Sequence, residues 1–509
     1  MYSPQKLHPV AYLGSIVNGV RNLWIPLIII LFNSRDVIFS GEISLKYILI
    51  FISILILVIV LFGGMDFLNK YRTRFWIEAG KFIYKDGVIT NREKELDIGR
   101  IQSIDFSEPI FHRMFGAVKL EIITPGDAIR IDTMKKTQAE SLQRILYDEK
   151  SQAEGEAIIG ASSGWPRQEA EEEPQEFTTL YLMSNRSLLL MSMTSGALGT
   201  FLALAFGFIN IIGADFLLER YFDYFEGAFQ SVLWAYMLAV GSFILVGYAI
   251  GILILMIKYY KYTLKMKDDD LVVEYGLIEK KHQSININRV QNIIIRDSIL
   301  RRMIGYYSLA ATITSDSLEG DDVEGKVEIL PFIKRDDLYR ITKEIFPNYH
   351  IEVPPRIVPV RGYRRYFQVM ALGIFTVSAI IQYFWFDYMW AIGLALLTIV
   401  ALSGFYSAYN SGYTIRDEEI NLMTTSFFKR SHYIIKSEKL IEAEWAYNPF
   451  LKRSELGIIT LVTAAGMMGS RATLKFIDQK DVDTIWQWAE RSASNEKDIT
   501  EIDHGVADS

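Results

Sequence analysis

Basic residues recur in register at three places in the sequence, and the chemistry they offer most directly is attraction to phosphate. Arg92 with Lys94, Lys280 with Lys281, and Lys429 with Arg430 each follow a turn. Arg100, Arg289 and Lys439 come next, and Arg113, Arg302 and Arg453 close each set. Near an anionic leaflet each such cation contributes about 1 kcal/mol. The same stretches carry Glu93, Glu95, Asp297 and Glu455, which offer the competing role of ion-pair partners. Arg113 and Arg302 stand beside Met114 and Met303, so they read as caps of a small fold rather than as ligand contacts.

Other chemistries are poorly supplied. Gly320-Asp321-Asp322-Val323-Glu324-Gly325-Lys326 approaches a phosphate-loop pattern, but Val327 stands where magnesium needs Ser or Thr, and three acids would face the phosphates. It reads as an exposed hairpin loop. The histidines at 8, 112, 282, 350, 432 and 504 are scattered, and His112 and His282 lie among cations, which disfavours a metal. No Ser–His–Asp order with a nucleophile elbow stands out. With no cysteine, thiol catalysis, disulfides and Cys-ligated metals are excluded. The expectation is a non-enzymatic chain with no cofactor, no metal and no nucleic-acid partner.

The elements that must position the cations include membrane spans. The 509 residues are 50% hydrophobic. Their mean hydropathy of +0.17 is too apolar for an ordinary soluble enzyme. Apolar runs come in couples: roughly 12–32 with 45–65, 188–213 with 229–257, and 366–386 with 389–409. Each is long enough to cross a bilayer at about 1.5 Å per residue. Only Asp387 and Tyr388 join the last couple, so its helices must be antiparallel neighbours, with Trp385 and Trp390 placed for an interfacial belt. Arg21, in the weakest span, is the one mid-span cation, which gives little to a transport pathway. Lys70, Arg72 and Arg74 follow the first couple, Lys258, Lys261 and Lys265 follow the second, and Arg361, Arg364 and Arg365 precede the third. The positive-inside rule then places both termini and the inter-pair segments in the cytoplasm of a multi-pass plasma-membrane protein, with no cleavable signal expected.

The polar stretches repeat. Gly87 lies 13 residues before Arg100-Ile101-Gln102-Ser103-Ile104, Gly276 lies 13 before Arg289-Val290-Gln291-Asn292-Ile293, and Ser426 lies 13 before Lys439-Leu440-Ile441-Glu442-Ala443. Arg113-Met114-Phe115-Gly116 matches Arg302-Met303-Ile304-Gly305, and Gly457 reads as the third glycine. Strand-like runs follow, and each copy ends in one amphipathic helix, at 134–149, 335–346 and 482–489. Such a unit is a small barrel or sandwich capped by a helix. Between the first two copies, 151–176 carries seven glutamates against Arg167, and 495–509 carries five acids against Lys497. Both read as unfolded. The chain total is −7, so the rest is slightly basic, at +3.

The order of helix pair, turn glycine, R-[IV]-Q-[SN]-I, R-x-[FI]-G, strands and final helix resembles the bacterial pleckstrin-homology domain of the membrane-flanking type, present three times. The resemblance implies an integral α-helical membrane protein with six transmembrane helices in three hairpins and three cytoplasmic PH-like β-barrel domains, each with a C-terminal helix. The expected boundaries are membrane pairs at 1–70, 181–260 and 360–410, PH-like domains at 71–150, 261–348 and 411–492, an acidic linker at 151–180 and an acidic tail at 493–509. The expected role is a scaffold or membrane-protection component at the inner leaflet. Alternatives are a transporter or flippase with PH-like regulatory domains, or a lipid-binding protein. Expected partners are inner-leaflet lipids and either a shorter protein of the same family or a second copy.

Overall fold

The computed structural model describes residues 2–12, 64, 66–88, 90–101, 103–124, 127–142, 145–146, 177–196, 199, 232–314, 326–384, 389–465 and 469–491. The first helix pair, most of the first helix of the second pair, the acidic linker, Trp385 with the turn beside it, the 320–325 loop and the acidic tail lie outside these residues.

In the first copy, β1 (Tyr2–Lys6), β2 (Arg74–Glu78), β3 (Lys81–Asp86) and β4 (Arg92–Asp97) form one antiparallel sheet. A 3-10 corner at Ile98–Arg100 follows, where Asp97 accepts from the Gly99 amide at 3.0 Å. The chain then enters the second sheet, β5 (Ser103–Glu108), β6 (Ala117–Thr124) and β7 (Asp127–Lys135). Alternating residues such as Phe75, Ile77, Leu120 and Ile122 close the core between the two sheets, and Leu142 and Leu146 of the final helix seal it.

The second copy repeats this with β8 (Thr178–Leu182), β9 (Thr263–Lys267), β10 (Asp270–Tyr275), β11 (Lys280–Asn286), a corner at Ile287–Arg289, then β12 (Val290–Ser298), β13 (Tyr306–Ile313), β14 (Lys326–Lys334) and a helix, Arg335–Ile345. The third has β15 (Gly412–Arg416), β16 (Glu419–Ser426), β17 (Lys429–Lys436), a corner at Ser437–Lys439, β18 (Leu440–Ala446), β19 (Leu456–Thr463), β20 (Ser470–Asp478) and a helix over 479–491.

Two expectations are corrected. Residues 2–12 and 178–182 do not belong to membrane or linker. β1 pairs with β2, β8 pairs with β9, and Leu7 and Ala11 lie in the first core. The copies are also not separate barrels. β11 pairs with β5 and β12 pairs with β17, giving sheets of order β7-β6-β5-β11-β10-β9-β8 and β14-β13-β12-β17-β16-β15. The chain divides into two compact units, one ending with Leu271–Ile285 and the other continuing through Asn286–Ser509, so the two sheets of the second copy fall in different units.

Three described helices are long and apolar enough to span a membrane: Gly241–Lys258 within Val232–Lys258, Val360–Phe384 and Met389–Tyr409. Their apolar side chains face outward, as at Val369 and Leu245. The last two pack through small residues. A Cβ on Gly404 would sit 2.7 Å from Phe367, and one on Gly393 would sit 2.7 Å from Ser378.

Candidate membrane-facing surface and strand junctions

The repeating cations divide into three structural classes. The turn-following residues of the second and third copies lie at strand junctions, and those of the first lie on β4, at the end of its sheet. The three corners begin at Ile98, Ile287 and Ser437, so equivalent residues lie 189 and 150 positions apart. Under that equivalence the two junctions have the same register. Lys280, Lys281 and His282 face Glu108, Ser107 and Phe106, and Arg430, Ser431 and His432 face Asp297, Arg296 and Ile295.

Arg430 is therefore a junction residue. Its Nε and Nη2 donate to Asp297 Oδ2 at 2.9 and 2.6 Å, with the Asp297 side chain 3% exposed. Burial pushes the Asp297 carboxyl up while Arg430 pulls it down, and burial prevails. Glu108, buried opposite Lys280, pairs with Lys136 at 2.7 Å. The Ser284 amide donates to Asp105 Oδ1 at 3.0 Å and adds a side-chain link to the first junction. Next to Arg430, buried His432 contacts Asn421 Oδ1 at 2.9 Å. Asn421 in turn donates to the His350 carbonyl, which leaves Oδ1 to accept from a neutral imidazole. Burial, with Arg430 nearby, pushes His432 down to about 4. Lys281, Lys429 and Arg92 are exposed, and Lys94 is half-buried on β4.

Arg100, Arg289 and Lys439 each end a 3-10 corner, the point where the chain passes between its two sheets. Their recurrence marks that corner. Arg289 is half-buried, with Nη1 enclosed.

Arg113, Arg302 and Arg453 lie on short helices, Ile110–Met114, Ile299–Met303 and Pro449–Arg453. Each helix ends two residues before a left-handed residue, Gly116, Gly305 and Glu455. The third left-handed position is thus Glu455, not Gly457, which starts a strand interior against Val482. These helices sit at the ends of the long apolar helices. Arg113 donates to the Leu277 carbonyl at 3.2 Å, and the Leu277 amide donates to the Ile257 carbonyl at the end of Val232–Lys258. Arg302 donates to the hydroxyl of Tyr406, near the end of Met389–Tyr409. Arg365, in the first turns of Val360–Phe384, donates to Ser454 Oγ at 3.2 Å.

Composition alone missed the apolar residues around these arginines. Phe111, Met114, Phe115, Leu300, Met303, Ile304 and Phe450 are exposed, Met303 to 79%. The available signal was a run of bulky apolar residues on both sides of a cation with no periodicity that could bury them. Among the described residues no cluster of His, Asp or Glu has the makings of a metal site.

The description "Bacterial PH domain" belongs to a family model that matches residues 26–150, 208–348 and 355–493, one match for each copy. The chain is also 23% identical over 503 residues to the "UPF0699 transmembrane protein YdbT" of Bacillus subtilis (strain 168), covering 96% of this chain and 98% of that protein. With most of its length matched in three consecutive copies, each match taking in apolar sequence, the chain belongs to the bacterial PH domain family and is a membrane protein of that family.

Proposed function

We propose that this protein is a non-enzymatic scaffold of the bacterial plasma membrane. Three helix pairs hold three PH-like copies at the cytoplasmic face of the inner leaflet, where they serve as a membrane-protection or envelope-stress component. The observation that carries this reading is the set of three Arg-bearing short helices at the ends of the long apolar helices, each with apolar side chains left in the open. Met114, Met303 and Phe450 are 74%, 79% and 71% exposed. Soluble proteins rarely leave such side chains out in clusters, whereas the headgroup boundary accepts an apolar tip beside a cation. Arg113, Arg302 and Arg453 then stand level with lipid phosphates.

The test uses the absence of native cysteine. Met303→Cys carries an environment-sensitive fluorophore in the full chain, reconstituted in bilayers with lipid-borne quenchers at graded depth. Quenching at headgroup depth is expected, and a solvent-like signal that no lipid quencher reaches would end the reading. An impermeant thiol reagent applied to intact cells should leave the same cysteine unmodified if the face is cytoplasmic. A deletion strain with unchanged tolerance to membrane-active peptides and detergents would remove the protective role while leaving the scaffold.

A further inference from the structure

The strands that end a sheet are not equivalent. β7, β14 and β20 occupy the same position in the three copies and end their sheets every time. β4 and β18 are different: their counterparts are paired elsewhere in the same chain. β4 corresponds to β11 and β17, while β18 corresponds to β5 and β12. Among the described residues, β4 and β18 each end a sheet with no strand on the outer side.

The consequence is visible along β18. Ile293 and Ile295 of β12 are buried under β17, at 0% and 6% exposure, whereas their counterpart Trp445 on β18 is 43% exposed and Ala443 is half-buried. Trp445 also gathers Tyr447 and Trp486 within ring-contact distance, at 5.3 and 6.3 Å, as a partly exposed aromatic cluster beside the edge. An exposed edge beside apolar surface is a template for another strand.

We propose that β18 pairs with β4 of a second copy of this chain, antiparallel and in the register already used at both internal junctions. The occupant is argued from continuity with those junctions. A fifth-strand edge pairs with the fourth-strand edge of the following copy, and among the described residues one edge of each kind has no strand on its outer side. That register sets Arg92 opposite Ala446, Glu93 opposite Trp445, Lys94 opposite Glu444 and Glu95 opposite Ala443. Lys94 and Glu444 are complementary. Of the β4 carboxylates, Glu93 is held by Lys85 and Glu95 by Lys81, each at 2.9 Å, and Glu444 is held on its own side by Arg471 at 3.0 Å, so the cross-edge attraction adds to existing pairs. A head-to-tail contact of this type extends as a row or closes as a ring. It concerns strand edges and does not depend on lipid contact by the short helices.

The experiment uses two differently tagged full-length chains co-produced in one membrane, one carrying Lys94→Cys and the other Glu444→Cys, treated with a short thiol-to-thiol cross-linker. The expected product carries both tags at dimer mass. Its yield should exceed that of Lys94→Cys with Glu442→Cys by about tenfold, because that pair is out of register. Lys94→Glu should lower the yield in a chain whose other cysteine pair reports the edge, Glu93→Cys with Trp445→Cys, and adding Glu444→Lys should restore it. Absence of a dimer, equal yields in and out of register, or a link from Lys94→Cys to Glu444→Cys within one chain at monomer mass would each overturn the proposal. So would a Glu444→Cys adduct containing a different protein in place of the second copy. The depth-quenching signal at Met303→Cys is read separately, so either proposal can fail alone.

Discussion

β12 and β18 are the same strand in successive copies, yet one lies in the middle of a six-stranded sheet and the other on the rim of a three-stranded one. Their sequences record the difference. VQNIIIRDS buries nearly every second position on both faces, while LIEAEWA leaves Ile441, Glu442, Trp445 and Ala446 exposed. The acid at the end of the strand changes with it. Asp297 is enclosed with Arg430, whereas the counterpart of Asp297 is Tyr447, and the acid nearest the β18 rim, Glu444, reaches exposed Arg471 at 3.0 Å. A pair inside a junction and a pair on a rim share chemistry and differ in solvent, which decides what each contributes.

The sharpest way to break this comparison is to remove one partner inside the junction. Asp297→Ala leaves a guanidinium buried against β12 with nothing to neutralise it, and the expected loss is about 3–5 kcal/mol. Faster hydrogen exchange in β12 and β17 together, with β6 and β7 unchanged, is the expected pattern. If exchange rises everywhere or nowhere, the junction is not a separable unit of stability.

Next in size is pH. The pKa of His432 is held at about 4 in the fold, against 6.5 for a free side chain. The unfolded chain therefore takes up the proton first as pH falls. Stability is intact above about pH 6.5, declines between about 6.5 and 4, and is level below that, with a total near 3 kcal/mol. Thermal unfolding followed from pH 7.5 to 4.5 should show the decline, and His432→Gln should flatten it. A decline that survives the substitution would move the effect to another group.

The turns before these strands separate the copies in a third way. Gly276 has φ +111°, and a Cβ there would lie 1.9 Å from the Glu279 carbonyl, so Gly276→Ala should cost about 2 kcal/mol. Gly87 is built alike, with φ +104° and the Thr90 carbonyl at 2.0 Å. The third copy dispenses with this glycine. Ser426 pairs with Lys429 across a two-residue turn in which Phe427 and Phe428 both take positive φ, and Phe428 rests near the Tyr406 ring at 5.7 Å. Packing against a membrane helix there compensates for a backbone conformation bulky residues avoid. Ser426→Gly should accordingly change the unfolding temperature by less than Gly276→Ala does.

Much of this was legible in the sequence. The threefold spacing located the corners, because a chain passing between two sheets needs the same short turn each time, and the fixed distances from Gly87 and Gly276 survived in the fold. The third copy's left-handed position was read as Gly457, since glycine is the usual occupant, and Glu455 escaped notice because its neighbours carry no turn signature. β1 and β8 were missed because five residues beside a long apolar run are too short to show a period of two. The junctions left no signal at all. A strand paired to a neighbouring copy has the same alternation as one paired within its own, so Arg430 read as a phosphate-facing cation and Asp297 as an ion-pair partner within its own stretch.

The smallest effect belongs to the rim. Glu444→Ala removes a pair whose side chains are 40% and 57% exposed, and the expected change in stability is within about 0.5 kcal/mol. The same substitution takes away the acid that the proposed edge contact sets against Lys94. Unfolding temperature and edge cross-linking through Glu93→Cys and Trp445→Cys should therefore separate, the first unchanged and the second reduced. Asp297→Ala predicts the opposite order, with lost stability at a junction that needs no second chain. If Glu444→Ala instead destabilised the protein as much as Asp297→Ala, β18 would already be a covered strand, and the contrast between the two positions would collapse.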